Sequence, residues 1–218
     1  MMTRKTTLAT PLTIAIILFL SPRLTTAITA DQILCTVACK YDTLTDLRAG
    51  FSQTVFLDDS DSAGYAVAGT LWVKPPAKFR LAMAHQTMVS DGDTLWTYAP
   101  RNQQVLVDQA DTTGGISRPD QLFLRYFKEA DAELLGSGEI AGRECYHLHL
   151  VPREVGTIDF LQVWVDKSTW LAYQLEVTDS GGVQTLYRFT DVCMNEGLVD
   201  SLFVFQVPED VEVIDMRW

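Results

Sequence analysis

The side chains best suited to chemistry in this sequence are three histidines and four cysteines, and the histidine spacing argues against catalysis. His147 and His149 stand at i and i+2, so they share one face of a strand-like run. That spacing can bind a metal, but no third ligand lies nearby, and the pair reads as polar strand residues. Gly136-Ser137-Gly138 has the look of a nucleophile elbow, yet Leu135 stands where the motif requires glycine. Gly136, Gly138 and Ala141 fit a loose dinucleotide pattern between two strands, not before a helix, and so mark a turn. Acidic residues are plentiful, but no pair is set apart by its surroundings. The expectation is a binding protein with no metal, no cofactor and no catalytic residues.

The N-terminus bears on the cysteines. Arg4 and Lys5 precede an apolar run from Leu12 to Leu20, and the small-residue stretch Thr25-Thr26-Ala27 follows. This is the layout of a secretory signal, with cleavage expected first after Ala27 and next after Ala30, so residues 1–27 form the signal and 28–218 one mature domain. Loss of Arg4, Lys5 and Arg23 takes the formal charge from −11 to −14. Such a surface repels phosphate backbones, which excludes nucleic acid as a partner. In an exported chain four cysteines allow three disulfide pairings. Cys35 and Cys39 lie four apart in a helical pattern, Cys145 and Cys193 in strand-like runs, and a Cys145–Cys193 bridge is favoured. No C-x-x-C motif suggests a redox pair.

Two helices and a succession of strands would have to position any site. Thr29 and Gln32 form a capping box, after which Ile33, Leu34, Val37, Ala38, Tyr41, Leu44 and Leu47 recur on one helical face. From Phe51 the period changes to two. Short β-like runs follow at 65–74, 79–83, 87–90, 94–98 and 103–107, with Asp91-Gly92 as a hairpin turn. Ser117 caps a second helix whose apolar face is Leu122, Phe123, Tyr126 and Phe127. Strands resume at 133–136, 145–151, 159–165, 171–178, 185–192 and 201–206. There is no βαβ alternation, so the expected fold is α+β: one long antiparallel sheet, curled into a partial barrel, with the helices over its mouth. Such a concave face is a ready place for a hydrocarbon chain. Trp72, Trp96, Trp164 and Trp170 fall in or beside strands, either filling the core or lining that groove.

The order of segments resembles the periplasmic outer-membrane lipoprotein carrier proteins, the LolA family. The matching stretches are Tyr41-Asp42-x-Leu44-x-x-Leu47-x-Ala49-x-Phe51-Ser52-Gln53, Gly69-Thr70-Leu71-Trp72-Val73-Lys74-Pro75-Pro76-Ala77-Lys78-Phe79-Arg80 and Val89-Ser90-Asp91-Gly92-Asp93-Thr94-Leu95-Trp96-Thr97-Tyr98-Ala99-Pro100. Leu161-x-Val163-Trp164-Val165-Asp166 and Phe203-x-Phe205-x-Val207-Pro208 fit later in the chain. The resemblance implies an unclosed antiparallel β-barrel with an α-helical lid. It also implies a monomeric periplasmic carrier that takes acylated lipoproteins from an inner-membrane ABC transporter to an outer-membrane acceptor lipoprotein. A LolA-like carrier or sensor of another acylated or glycolipid ligand is the alternative. On this reading the lid residues are Val37, Tyr41, Leu44, Leu122, Phe123, Tyr126 and Phe127, and the cavity is lined by Phe51, Val55, Phe79, Leu81, Met83 and Met88. Family members often carry an arginine that bonds to the lid where this chain has Pro75, with Lys74 and Arg80 as the nearby cations.

Overall fold

The structure, a computed structural model, describes residues 27–56, 63–110, 127–154 and 156–217. Leu122, Phe123 and Tyr126 lie outside the described residues, as does most of the expected signal segment. Helix α1 spans Ala30–Asp42 and starts as its capping box dictates: Thr29 accepts from the Gln32 backbone, and Gln32 returns the bond to the Thr29 N–H. It ends earlier than the apolar period suggests. Thr43 caps it, so Leu44 is buried from a loop and Leu47 already opens the first strand.

The strands in chain order are β1 (Leu47–Phe56), β2 (Ala63–Lys74), β3 (Lys78–Met83), β4 (Thr87–Ser90), β5 (Thr94–Ala99) and β6 (Gln104–Gln109). They continue with β7 (Ala130–Ile140), β8 (Arg143–Pro152), β9 (Ile158–Asp166), β10 (Ala172–Asp179), β11 (Gln184–Met194) and β12 (Glu212–Asp215). All twelve form one sheet in the order β12-β6-β5-β4-β3-β2-β1-β11-β10-β9-β8-β7. Long connections join β6 to β7 and β11 to β12, and β11 returns to pair with β1 at the centre. A sheet this wide cannot stay flat, and its edge strands β7 and β12 do not pair with each other, which leaves the barrel unclosed.

Two expectations fail here. The alternating Phe203-x-Phe205 segment is not a strand but a 3-10 turn, Asp200–Phe203, followed by an extended strap. The last strand is β12 instead, and it runs parallel to β6, with Glu212 opposite Gln104. The alternation of the strap reflects packing alone. Phe203 is buried and Phe205 lies over Trp96 and Tyr98, with ring centroids 6.4 and 5.8 Å apart, so the strap covers the outer face of β2–β6.

Period-two alternation separates the faces. On the concave side Leu81 stands opposite Leu71, Leu71 opposite Ala49, and Phe79 opposite Val73, all buried in one continuous core with Leu148, Leu161, Val163 and Leu175. Gly69 sits in that row because no larger residue fits. A Cβ there would collide with the Ala82 carbonyl oxygen and come within 2.9 Å of the Phe51 ring.

Candidate functional site

Helix α1 places Ile33, Leu34, Val37 and Tyr41 against the concave face and shuts them from solvent. Tyr41 is the polar fastening of this contact. The backbone N–H of Ala172, at the start of β10, donates to its phenol oxygen, and burial pushes the phenol pKa upward. Its ring stacks on Phe127, and next to this pair Lys128 bridges to Asp42.

Beneath the helix the face is closed, and away from it the face opens. Along β1 the inward residues Leu47, Ala49 and Phe51 are buried, but Gln53 and Val55 are only half-buried. Along β2 the same row passes from buried Val73 and Leu71 through half-buried Val67 to Tyr65, which is 57% exposed. On β3 it runs from Phe79 and Leu81 to half-buried Met83, which faces Gly69. The open ends of these rows are neighbours, because Val55 pairs with Tyr65 and Gly69 with both Phe51 and Met83. Among the described residues they form a mouth, apolar but for Gln53, at the end of a filled core.

The residues expected from sequence divide accordingly. Val37, Tyr41, Leu44, Phe51, Phe79, Leu81, Met88 and Phe127 come together in the buried core, with Met83 packed against it. Val55 stands at the mouth, outside that core. Tyr65 and Val67 join it there and were missed, although β2 alternates as clearly as β1 and carried the signal. The tryptophans do not line this face: Trp72, Trp96 and Trp164 alternate with the inward residues and lie on the convex side. Trp170 packs beside the core against Tyr146.

Several polar groups are accounted for by structure. Lys74 donates to the Leu198 carbonyl and pairs with Asp200, and Arg80 donates to the Leu202 carbonyl. Both cations therefore hold the C-terminal strap on the convex face, and neither fastens α1. His147 stacks on Trp164 at 4.3 Å and shares a 2.8 Å hydrogen bond with Gln162. The expected Cys145–Cys193 bridge is not formed, and both thiols are free. Strands β9 and β10 stand between β8 and β11, which separates the two residues by roughly 14 Å at about 4.8 Å per strand. A disulfide spans no more than about 7 Å between Cα atoms.

A second concavity of about 500 Å³ lies where β10 and β11 part, beyond the last paired residues Gln174 and Arg188. Its arginines are engaged, Arg48 by Glu196 and Arg143 by Asp166. Burial opposes ionisation of Asp166, but hydrogen bonds from Ser168, Arg143 and the Thr169 backbone outweigh it and hold the carboxyl at about 2. This cleft sets the charged groups Arg48, Arg143, Asp166 and Asp191 beside apolar Leu171, Phe189 and Val192.

The family described as "Outer membrane lipoprotein carrier protein LolA" matches residues 42–206. The chain belongs to the LolA family. Among its relatives is the outer-membrane lipoprotein carrier protein of Chromohalobacter salexigens, 29% identical over 182 residues and covering 82% of this chain and 84% of that one. The carrier of Pseudomonas paraeruginosa is 30% identical over 181 residues, covering 77% of this chain and 80% of its own. An uncharacterised conserved protein of Thermus thermophilus shares the fold, with a TM-score of 0.56, 13% identity, and coverage of 84% of this chain and 97% of that one. In this LolA family member Pro75 is cis-bonded to Pro76, and Tyr41 ties the helix to the sheet.

Proposed function

We propose that this protein is a periplasmic carrier that shields the acyl chains of lipoproteins released from the inner membrane and hands them to an acceptor lipoprotein of the outer membrane. The observation that supports the reading is the open apolar end of the concave face, where Val55, Val67 and Met83 continue the rows of a filled core without cover from α1. Each acyl CH₂ kept from water is worth roughly 0.8 kcal/mol, so a lipid-modified passenger needs such a shelter between membranes. Residues 1–27 serve as the export signal in this reading. The supplying partner is an ABC transporter of the inner membrane, and the carrier acts as a monomer. Among the described residues no helix is long and apolar enough to cross a membrane.

The test is a displacement titration on the mature chain. A fluorescent naphthylamine probe should bind saturably, a triacylated lipopeptide should displace it, and the same peptide without acyl chains should not. A folded sample without saturable probe binding, or displacement by the unacylated peptide, would sink the carrier reading. Mass spectrometry of protein isolated from its native periplasm should find lipoproteins bound to it.

A further inference from the structure

Cys35 and Cys39 lie one turn apart on the outer side of α1. Positions i and i+4 share a helix face with Cβ atoms roughly 5–6 Å apart. Both are exposed, on the side of the helix opposite Ile33, Leu34, Val37 and Tyr41. The other two thiols are less accessible. Cys145 is buried, and Cys193 is half-buried with Arg48 Nη2 at 3.4 Å. A solvent ion that seeks sulfur therefore meets the helical pair first.

The neighbouring charges do not prejudge the ligand. Asp42 and Lys128 are the charges that act on Cys39, and they pair with each other. A cation shared between two neighbouring thiolates removes the repulsion between them. Among the described residues no three His, Cys, Asp or Glu side chains gather to hold a metal. Two sulfurs without a third donor do not make a structural zinc site, which takes four ligands. They suit soft monovalent ions, which select thiolates.

We infer that Cys35 and Cys39 form a two-coordinate site for a soft monovalent cation, Cu(I) or Ag(I), on the solvent face of α1. Binding exchanges two thiol protons, released to water, for one metal ion and two metal–sulfur bonds. No oxidation state changes, and the bis-thiolate complex carries one negative charge. The metal bridges one turn of the helix and leaves the face that packs on the sheet in place.

The experiment titrates the reduced mature protein anaerobically with Cu(I) against the colorimetric chelator bathocuproine disulfonate. The wild type and the Cys193→Ser variant should each withdraw one equivalent of Cu(I). Cys35→Ser and Cys39→Ser should each weaken uptake at least tenfold, with unchanged circular dichroism, since both positions are exposed. Zn(II) should not compete at equal concentration. Uptake unaffected by either helical substitution, or lost in Cys193→Ser, overturns the site. So does displacement of Cu(I) by equimolar Zn(II), or a Cys35–Cys39 disulfide in protein isolated from its native periplasm.

Discussion

The rings of Tyr41 and Phe127 stack with centroids 6.1 Å apart and planes inclined by 22°. This joins the end of α1 to the segment that leads into β7, on the far side of a sheet whose order places β7 at one edge. Such a pair is worth about 0.5–1.5 kcal/mol beyond the area it buries. The Lys128–Asp42 bridge beside it is half-exposed and contributes less than about 1 kcal/mol. Aromatic packing, not the ion pair, therefore sets how firmly the helix is seated.

Tyr41→Phe separates the ring from its hydroxyl. The stack with Phe127 survives, while the Ala172 amide, in a residue that is 2% exposed, loses its phenol acceptor. The expected cost is about 1–2 kcal/mol, read as a lower urea midpoint with an unchanged slope. Tyr41→Ala should cost about 3–5 kcal/mol, since a cavity is added. A Tyr41→Phe protein with an unchanged urea midpoint would show that the hydroxyl bond contributes nothing.

Val55→Asp tests the mouth. Its side chain is half-buried beside Tyr65, so a carboxylate there keeps access to water and the fold should hold within about 1 kcal/mol. An acyl chain entering the mouth would have to desolvate that charge. Probe affinity should fall at least tenfold while the melting temperature stays close to wild type. Unchanged probe affinity would move the binding surface elsewhere on the sheet.

Local chemistry made much of this fold readable in advance. Thr29 and Gln32 announced the start of α1, and Asp91-Gly92 announced the β4–β5 hairpin, in which the Asp91 carboxylate accepts from the Asp93 and Thr94 amides. The faces were harder. Alternation says that Leu71 and Trp72 point opposite ways, but which side is concave depends on the curvature of twelve strands together. For that reason Leu81 and Phe79 could be grouped from their parity, whereas Trp96 and Trp164 could not be assigned to a face. The strap misled for another reason. Phe203 and Phe205 alternate because each meets the outer face of β2–β6, and nothing local distinguishes that from a paired strand. The Cys145–Cys193 pairing failed because spacing in sequence carries no information about strand order.

The strap yields a contrast between ionic and apolar fastening. Asp200 takes Lys74 at 2.6 Å and Lys78 at 3.4 Å, but its side chain is 65% exposed, so Asp200→Ala should leave the urea midpoint close to wild type. Phe203 is 1% exposed, and Phe203→Ala should cost about 3–5 kcal/mol. Neither should alter probe affinity, because the strap lies on the convex face. A Phe203→Ala protein that remains folded yet loses the probe would show that the two faces are coupled.

Asp166 provides a test by acid. Its side chain is 5% exposed and its carboxyl is held at about 2, against an ordinary value of 3.8, by Ser168, Arg143 and backbone donors that outweigh burial. A carboxyl depressed in the folded state stabilises fully above its unfolded value, and that contribution disappears as pH falls through the folded one. The loss should therefore run from about pH 5 to about pH 2 and amount to roughly 2 kcal/mol. Asp200 and Asp215 are also depressed but are exposed and should add little. In Asp166→Asn the proton-linked loss cannot occur. Urea unfolding across that window should give a shallower acid limb for the variant, with the two curves converging toward pH 2. Parallel curves would mean that Asp166 binds its proton equally well folded and unfolded, and that the Arg143 pair does not hold it ionised.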